Sequence, residues 1–207
     1  MARGAIIVLV GTTFSVVGEA LDFFAKRFGD RPSCVYLVPT AQTFPYARLA
    51  QLAIIDRFKG QPPVVRIRPV MVSDITTEND FLQFVEHLSS VYAEVLDSCV
   101  RDDRGPIVAS ITGGRKTMSV AGAIVFSHLG ADVIDTRSRT AEEDRALYSQ
   151  IARMLREGAT PEEIYSLNKD AIAALTFRPA DVSYVLPRFR LDLDKSDARL
   201  SEALRVI

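Results

Sequence analysis

Ala5-Ile6-Ile7-Val8-Leu9-Val10-Gly11-Thr12-Thr13-Phe14-Ser15 decides how the rest of the chain is read: an unbroken apolar run, a glycine, then three hydroxyls around one aromatic ring. An apolar run of this length suits a strand buried on both faces, as strands inside a parallel sheet are. Residues 16–28 follow with Val16, Val17, Ala20, Leu21, Phe24 and Phe28 at helical spacing, and Gly29-Asp30 ends them.

The alternation then continues. Residues 34–38 read as a second strand closed by Pro39, and residues 46–58 as a helix with Leu49, Leu52, Ala53 and Ile55 on its apolar stripe. Residues 64–70 alternate Val65, Ile67 and Pro69 with Arg66 and Arg68, the pattern of a strand near a sheet edge with one wetter face. Residues 78–100 carry the longest helical pattern. Strand 107–111, helix 116–129 and a short strand 132–135 complete the series. Parallel strands need crossover connections, so strictly alternating strands and helices predict an α/β fold: a Rossmann-like, mostly parallel sheet with helices on both faces. This domain is expected over residues 1–140.

Residues 141–207 read as a C-terminal extension of helices and strands, a lid or a dimer interface. Two helices are expected at 141–157 and 161–175. Thr160-Pro161-Glu162-Glu163 opens the second, with Thr160 as N-cap and Glu163 in the capping-box position. Residues 182–186 and 189–193 are candidate strands. A DNA-reading helix-turn-helix over 142–175 is disfavoured, because the segment has too few cations for a recognition helix, Arg153, Arg156 and Lys169 among them.

Composition narrows the partners. Apolar residues make up 48% of the 207, ample for a core, and the net charge is −1. A protein living on long nucleic acid would carry a basic excess. No apolar window reaches the ~18 residues of a membrane span, and no signal-peptide pattern is present, so a cytoplasmic protein without a membrane partner is expected. Cys34 and Cys99 lie in apolar stretches and are expected as buried free thiols. His87 and His128 stand alone on helices and read as structural or surface residues. No Cys/His spacing suggests a metal site, and no cofactor is implied.

Open parallel sheets bind ligands beyond the carboxyl ends of their strands. Two loops there have unusual composition. Gly11, Thr12, Thr13 and Ser15 stand before the first helix, where one hydroxyl suffices as a cap and exposed N–H groups favour an anion. Thr112-Gly113-Gly114-Arg115-Lys116-Thr117-Met118-Ser119 is the sharper signal. Its paired glycines let a ligand approach the backbone, and Arg115 and Lys116 offer a planar fork and a mobile charge to phosphate. Cations at a helix N-terminus oppose the helix dipole, a conflict that an anionic ligand resolves. Neither loop is a GxGxxG or a GxxxxGK[ST] motif, which argues against a nicotinamide-dependent oxidoreductase or an NTP-hydrolysing P-loop.

Val8-Leu9-Val10-Gly11-Thr12-Thr13 and Ser110-Ile111-Thr112-Gly113-Gly114-Arg115-Lys116-Thr117-Met118 resemble the two signature motifs of CARF domains, the CRISPR-associated Rossmann fold. The resemblance covers about residues 5–136 in organisation. It implies a homodimer that binds cyclic oligoadenylate, and no HEPN-type Arg-to-His spacing accompanies His87 or His128. Among stand-alone members the ring nucleases are the best match. They cut cyclic tetra-adenylate to linear di-adenylate ending in a 2′,3′-cyclic phosphate, without metal. By motif position the catalytic residues would be Thr13 and Lys116. Thr13 replaces a frequent Ser, and Thr12 or Ser15 remain open for the role. Gly11, Thr12, Ser15, Thr112, Gly113, Gly114, Arg115, Thr117 and Met118 would bind the ligand. A sensor or DNA-binding regulator that holds the ring without cutting it is the alternative. Arg137, Arg139 and Arg188 are further candidates by charge alone.

Overall fold

The computed structural model describes residues 4–72, 75–100, 105–137 and 142–187, with Ala198 and Glu202. Among the described residues, five strands and four α-helices alternate through β5: β1 (Ala5–Val10), α1 (Val16–Phe28), β2 (Cys34–Pro39), α2 (Phe44–Arg57), β3 (Val64–Ile67), α3 (Glu78–Val95), β4 (Ile107–Ser110), α4 (Lys116–Leu129) and β5 (Asp132–Arg137). The helices α5 (Glu142–Arg156) and α6 (Pro161–Thr176) and the strand β6 (Val182–Val185) follow. One sheet holds all six strands in the order β3-β2-β1-β4-β5-β6. The first five run parallel, and β6 pairs antiparallel with β5.

Period-two geometry sorts β1 onto both faces. Ile6, Val8 and Val10 pack with residues of α1, α2, α5 and α6, whereas Ala5, Ile7 and Leu9 pack with α3 and α4. Each fully buried Leu, Ile or Phe contributes about 1.5–3 kcal/mol through apolar burial, which is why the unbroken apolar run belongs at the sheet centre. The wetter Arg66 and Arg68 register is an edge, as expected. There Glu94 of α3 accepts from Arg68 Nε at 2.7 Å and from Arg66. The Arg68 and Arg66 guanidiniums hold the Glu94 carboxyl well down, at about 2, against the opposing effect of burial. His87 is half-buried, its Nε2 lying 3.2 Å from the Arg68 carbonyl oxygen.

The C-terminal elements continue the same architecture. The expected capping box of Thr160 and Glu163 is present, and Thr77 and Asp80 form another at the start of α3. Arg48 and Asp56 of α2 pair with Glu162 and Lys169 of α6. Backbones meet at Gly18, where a Cβ would stand 1.6 Å from the Thr176 carbonyl oxygen. The candidate strand at 189–193 lies outside the described residues, as do Arg139 and Arg188.

Two expectations are corrected. Cys34 and Cys99 form a disulfide rather than two free thiols, their Cα atoms 6.2 Å apart. Apolar flanking sequence describes a buried thiol and a buried disulfide equally well, and a separation of 65 positions hides the proximity. The fold creates it: Cys34 begins β2, and the end of the long helix widens into a π-turn, Leu96–Val100, that carries Cys99 over the same core. The long helix accordingly stops as an α-helix at Val95.

Candidate functional site

The strand order reverses direction in the sheet at β1. The chain builds outward through β2 and β3, then returns to place β4 on the other flank of β1. A crevice opens beyond the carboxyl ends of strands at such a switch point. The loops at residues 11–15 and 111–115 are its two walls.

Their backbones touch. A Cβ on Gly11 would lie 2.2 Å from the Gly113 carbonyl oxygen. A Cβ on Gly113 would lie 2.1 Å from the Leu9 carbonyl oxygen and 3.2 Å from the Gly11 nitrogen. Only glycine fits at both positions, because any side chain would wedge the loops apart. Thr12 and Thr13 on one wall are exposed, and so are Arg115, Lys116 and Thr117 on the other. Gly11, Thr112, Gly113 and Gly114 are half-buried beneath them.

The second wall leads into α4. Arg115 is the N-cap, with extended backbone and no side-chain cap, and Lys116 is the first helical residue. The first turn of α4 contains no acidic residue. Two cations therefore stand at the positive end of a helix dipole, worth about 0.3–1 kcal/mol each in the unfavourable direction. Ser119 ties the turn down by donating to the Ile111 carbonyl at 2.7 Å.

Two predicted residues face inward. Ser15 and Met118 are both buried, at 4% and 3% exposure. The Ser15 hydroxyl does not cap α1; it donates to Glu19 Oε1 at 3.3 Å. Thr112 is also committed to the scaffold, since its oxygen accepts from the Thr136 N–H at 2.8 Å and lies 3.2 Å from Asp135 Oδ1. The Thr136 hydroxyl donates to Glu19 Oε2 at 2.6 Å. A polar chain, Thr112–Thr136–Glu19–Ser15, thus runs under both walls and joins them.

Sequence reasoning missed this layer, although Glu19 is an acid within the apolar pattern of α1. It also missed the third loop, Thr40-Ala41-Gln42-Thr43, whose hydroxyl-rich sequence directly after β2 repeats the signal of the first. Thr43 Oγ1 donates to the Val10 carbonyl at 2.8 Å, and Gln42 Oε1 accepts from Arg115 Nη2 at 3.3 Å. From the C-terminal region, Tyr148 of α5 packs edge-on against Phe14 at 5.2 Å, and its hydroxyl accepts from the Ser15 N–H at 3.4 Å. Burial pushes the Tyr148 hydroxyl pKa upward, with the Ser15 bonds opposing. Arg137, at the end of β5, lies over the Tyr184 ring at 6.0 Å.

Among the described residues, no group of three or more His, Cys, Asp or Glu is placed to hold a metal ion. No described helix is long and apolar enough to cross a membrane.

Two solved structures are similar to this chain in part. Can2 from Sulfobacillus thermosulfidooxidans, solved in complex with cyclic tetra-adenylate, aligns at 13% identity with a TM-score of 0.42. That alignment covers 65% of this chain and 32% of Can2. Enterococcus italicus Csm6, bound to cyclic hexa-2′-fluoro-hexa-dAMP, aligns at 13% identity with a TM-score of 0.47, covering 90% of this chain and 42% of Csm6. The chain thus spans less than half the length of either protein. No curated protein matches it. Residues 15–135, which hold the whole Gly113–Lys116 turn and the helix after the first loop, match the family described as CRISPR-associated protein NE0113. The chain is therefore a member of the CRISPR-associated NE0113 family, built on a Rossmann-like sheet.

Proposed function

We propose that this protein is a ring nuclease: as a homodimer it binds cyclic tetra-adenylate and cuts it into linear di-adenylate with 2′,3′-cyclic phosphate ends, lowering a CRISPR signal. The observation that carries the reading is the contact of Gly11 with Gly113, which joins the loop bearing exposed Thr12 and Thr13 to the loop that leads through Arg115 and Lys116 into an uncapped helix N-terminus. Membership in a CRISPR-associated family is consistent with it.

The chemistry needs no metal, because RNA carries its own nucleophile. A ribose 2′-oxygen attacks the adjacent phosphorus, the bond from phosphorus to the 5′-oxygen breaks, and the 2′-hydroxyl proton is lost as the 5′-oxygen gains one. Lys116 and the N–H groups of the turn stabilise charge growing on the phosphate oxygens. Thr13 holds the ribose so that attack is in line, an orienting effect that supplies several kcal/mol. Arg115 grips a neighbouring phosphate. A two-fold dimer presents two such sites to a ring that contains a two-fold axis, so two opposite cuts follow.

The test is incubation with cyclic tetra-adenylate in the presence of a chelator, with products separated by chromatography. Di-adenylate that appears with wild type and is lost with Lys116→Ala supports the nuclease. Binding without product selects the sensor instead. No binding to any cyclic oligoadenylate ends both.

A further inference from the structure

A cleft of about 450 Å³ lies between the N-terminal turn of α2 and one side of α5, lined by Gln42, Tyr46, Ser149, Ala152, Leu155 and Arg156. Its Gln42 end borders the loops already described. Gln42 holds Arg115 of the second wall, and Ser149 follows Tyr148, which packs on Phe14 and Ser15 of the first. We propose that this cleft is a base subsite that takes a purine ring of the same ligand whose phosphate rests on the Gly113–Lys116 turn; the proposal rests on the cyclic oligoadenylate reading above.

The lining suits a flat aromatic heterocycle better than another anion. Ala152 and Leu155 are half-buried and apolar, and the Tyr46 ring is 8% exposed. The exposed Arg156 offers a planar guanidinium that stacks on a base. Burial pushes the Tyr46 hydroxyl pKa upward, with the Arg156 charge opposing. Gln42 supplies specificity. Its carbonyl oxygen keeps a second lone pair after accepting from Arg115, and its amide N–H₂ is a donor, the pair that reads adenine N6 and N7. The cleft's volume falls within the range of about 300–1,000 Å³ typical of small-ligand sites. One residue, Gln42, therefore couples the base subsite to the cation that holds phosphate.

The experiment is equilibrium binding of cyclic tetra-adenylate and of cyclic tetra-uridylate to wild type, Ala152→Trp and Gln42→Ala, with thermal melts alongside. Ala152→Trp fills the cleft, and Gln42→Ala changes an exposed loop side chain, so the second variant serves if the first does not fold. The expected result is a loss of about tenfold in affinity for the adenine ring in both variants, the scale of one bidentate base contact. Gln42→Ala should also narrow the adenine-over-uracil preference. Variants that fold, bind like wild type and keep its base preference overturn the subsite while leaving the ring reading intact. A wild type that binds neither ring overturns that reading, and the subsite with it.

Discussion

Replacing Gly11 or Gly113 by alanine is the most direct challenge to the geometry. An alanine Cβ would lie 2.2 Å from a carbonyl oxygen in one case and 2.1 Å in the other. Both obstacles are backbone atoms, one in β1 and one in the turn after β4, so neither can rotate away. The walls must separate by about 1 Å, and overpacking of that kind costs about 1–3 kcal/mol. A displacement of 1 Å in a positioned site also lowers turnover by about 10²-fold. Gly122→Ala is the control, since its Cβ meets side-chain rather than backbone atoms, the nearest being the Leu9 Cδ1 methyl at 2.9 Å. Urea denaturation and single-turnover cleavage of cyclic tetra-adenylate read the two effects separately. Gly11→Ala should lose both stability and rate, and Gly122→Ala should lose little of either. A Gly11→Ala protein as stable as wild type would show that the walls are not pressed together. A destabilised protein with full activity would show that their spacing does not govern the chemistry.

Three further outcomes follow. Glu19→Ala removes the acceptor of the Ser15 and Thr136 hydroxyls in a site that is 2% exposed, and should cost about 2–5 kcal/mol in denaturant unfolding. Wild-type stability there would show that the polar chain does not bear on the fold. Glu94 has its folded pKa lowered to about 2 from the ordinary 4.5, so its stabilising effect is complete above about pH 4.5 and fades as pH falls towards 2. Glu94→Gln should therefore unfold more easily at pH 7, by at most about 2 kcal/mol given its half-exposed arginine partners, with the gap closing in acid. A gap independent of pH would contradict the ion pair. Finally, a thiol assay of the denatured protein should find no free thiol before reduction and two per chain after it. Closing a loop of this length stabilises by about 4 kcal/mol, so reductant should lower the melting temperature markedly; free thiols at the outset would return the cysteines to their sequence-based reading.

What could be read in advance follows from the range of the signals. Buried β1, the edge character of Arg66 and Arg68, and the capping box at Thr160 are local patterns, and each appears in the structure where the residues put it. The two glycine-bearing loops were legible for the same reason. Contacts between distant segments were not. Nothing around Cys34 announces Cys99, and nothing around Glu19 announces Thr136 as its hydrogen-bond donor. Thr40–Thr43 carried a readable hydroxyl signal, but its importance depends on β2 lying beside β1, a fact of topology. Burial also divides the proposed ligand set in a way spacing does not: Thr12, Thr13, Arg115 and Lys116 are exposed, whereas Ser15 and Met118 lie beneath them.

The C-terminal helices bear on this site through their packing. α6 is pressed onto α1 at Gly18, and α5 presents Tyr148 to Phe14 and to the Ser15 N–H at the start of the same helix. α1 also carries Glu19, which reaches Thr136 at the end of β5, and β5 is held on its outer side by β6. The first wall is thereby clamped from both sides by segments that follow residue 141 in the chain. The support reaches the second wall through Thr112, whose oxygen accepts from the Thr136 N–H, so the turn that carries Arg115 and Lys116 against the α4 dipole rests on the same framework. The energetic conflict at Arg115 and Lys116 is stored against that support. On the proposed reading an anion laid across the two walls would release it, so binding energy and site geometry would derive from the same few residues.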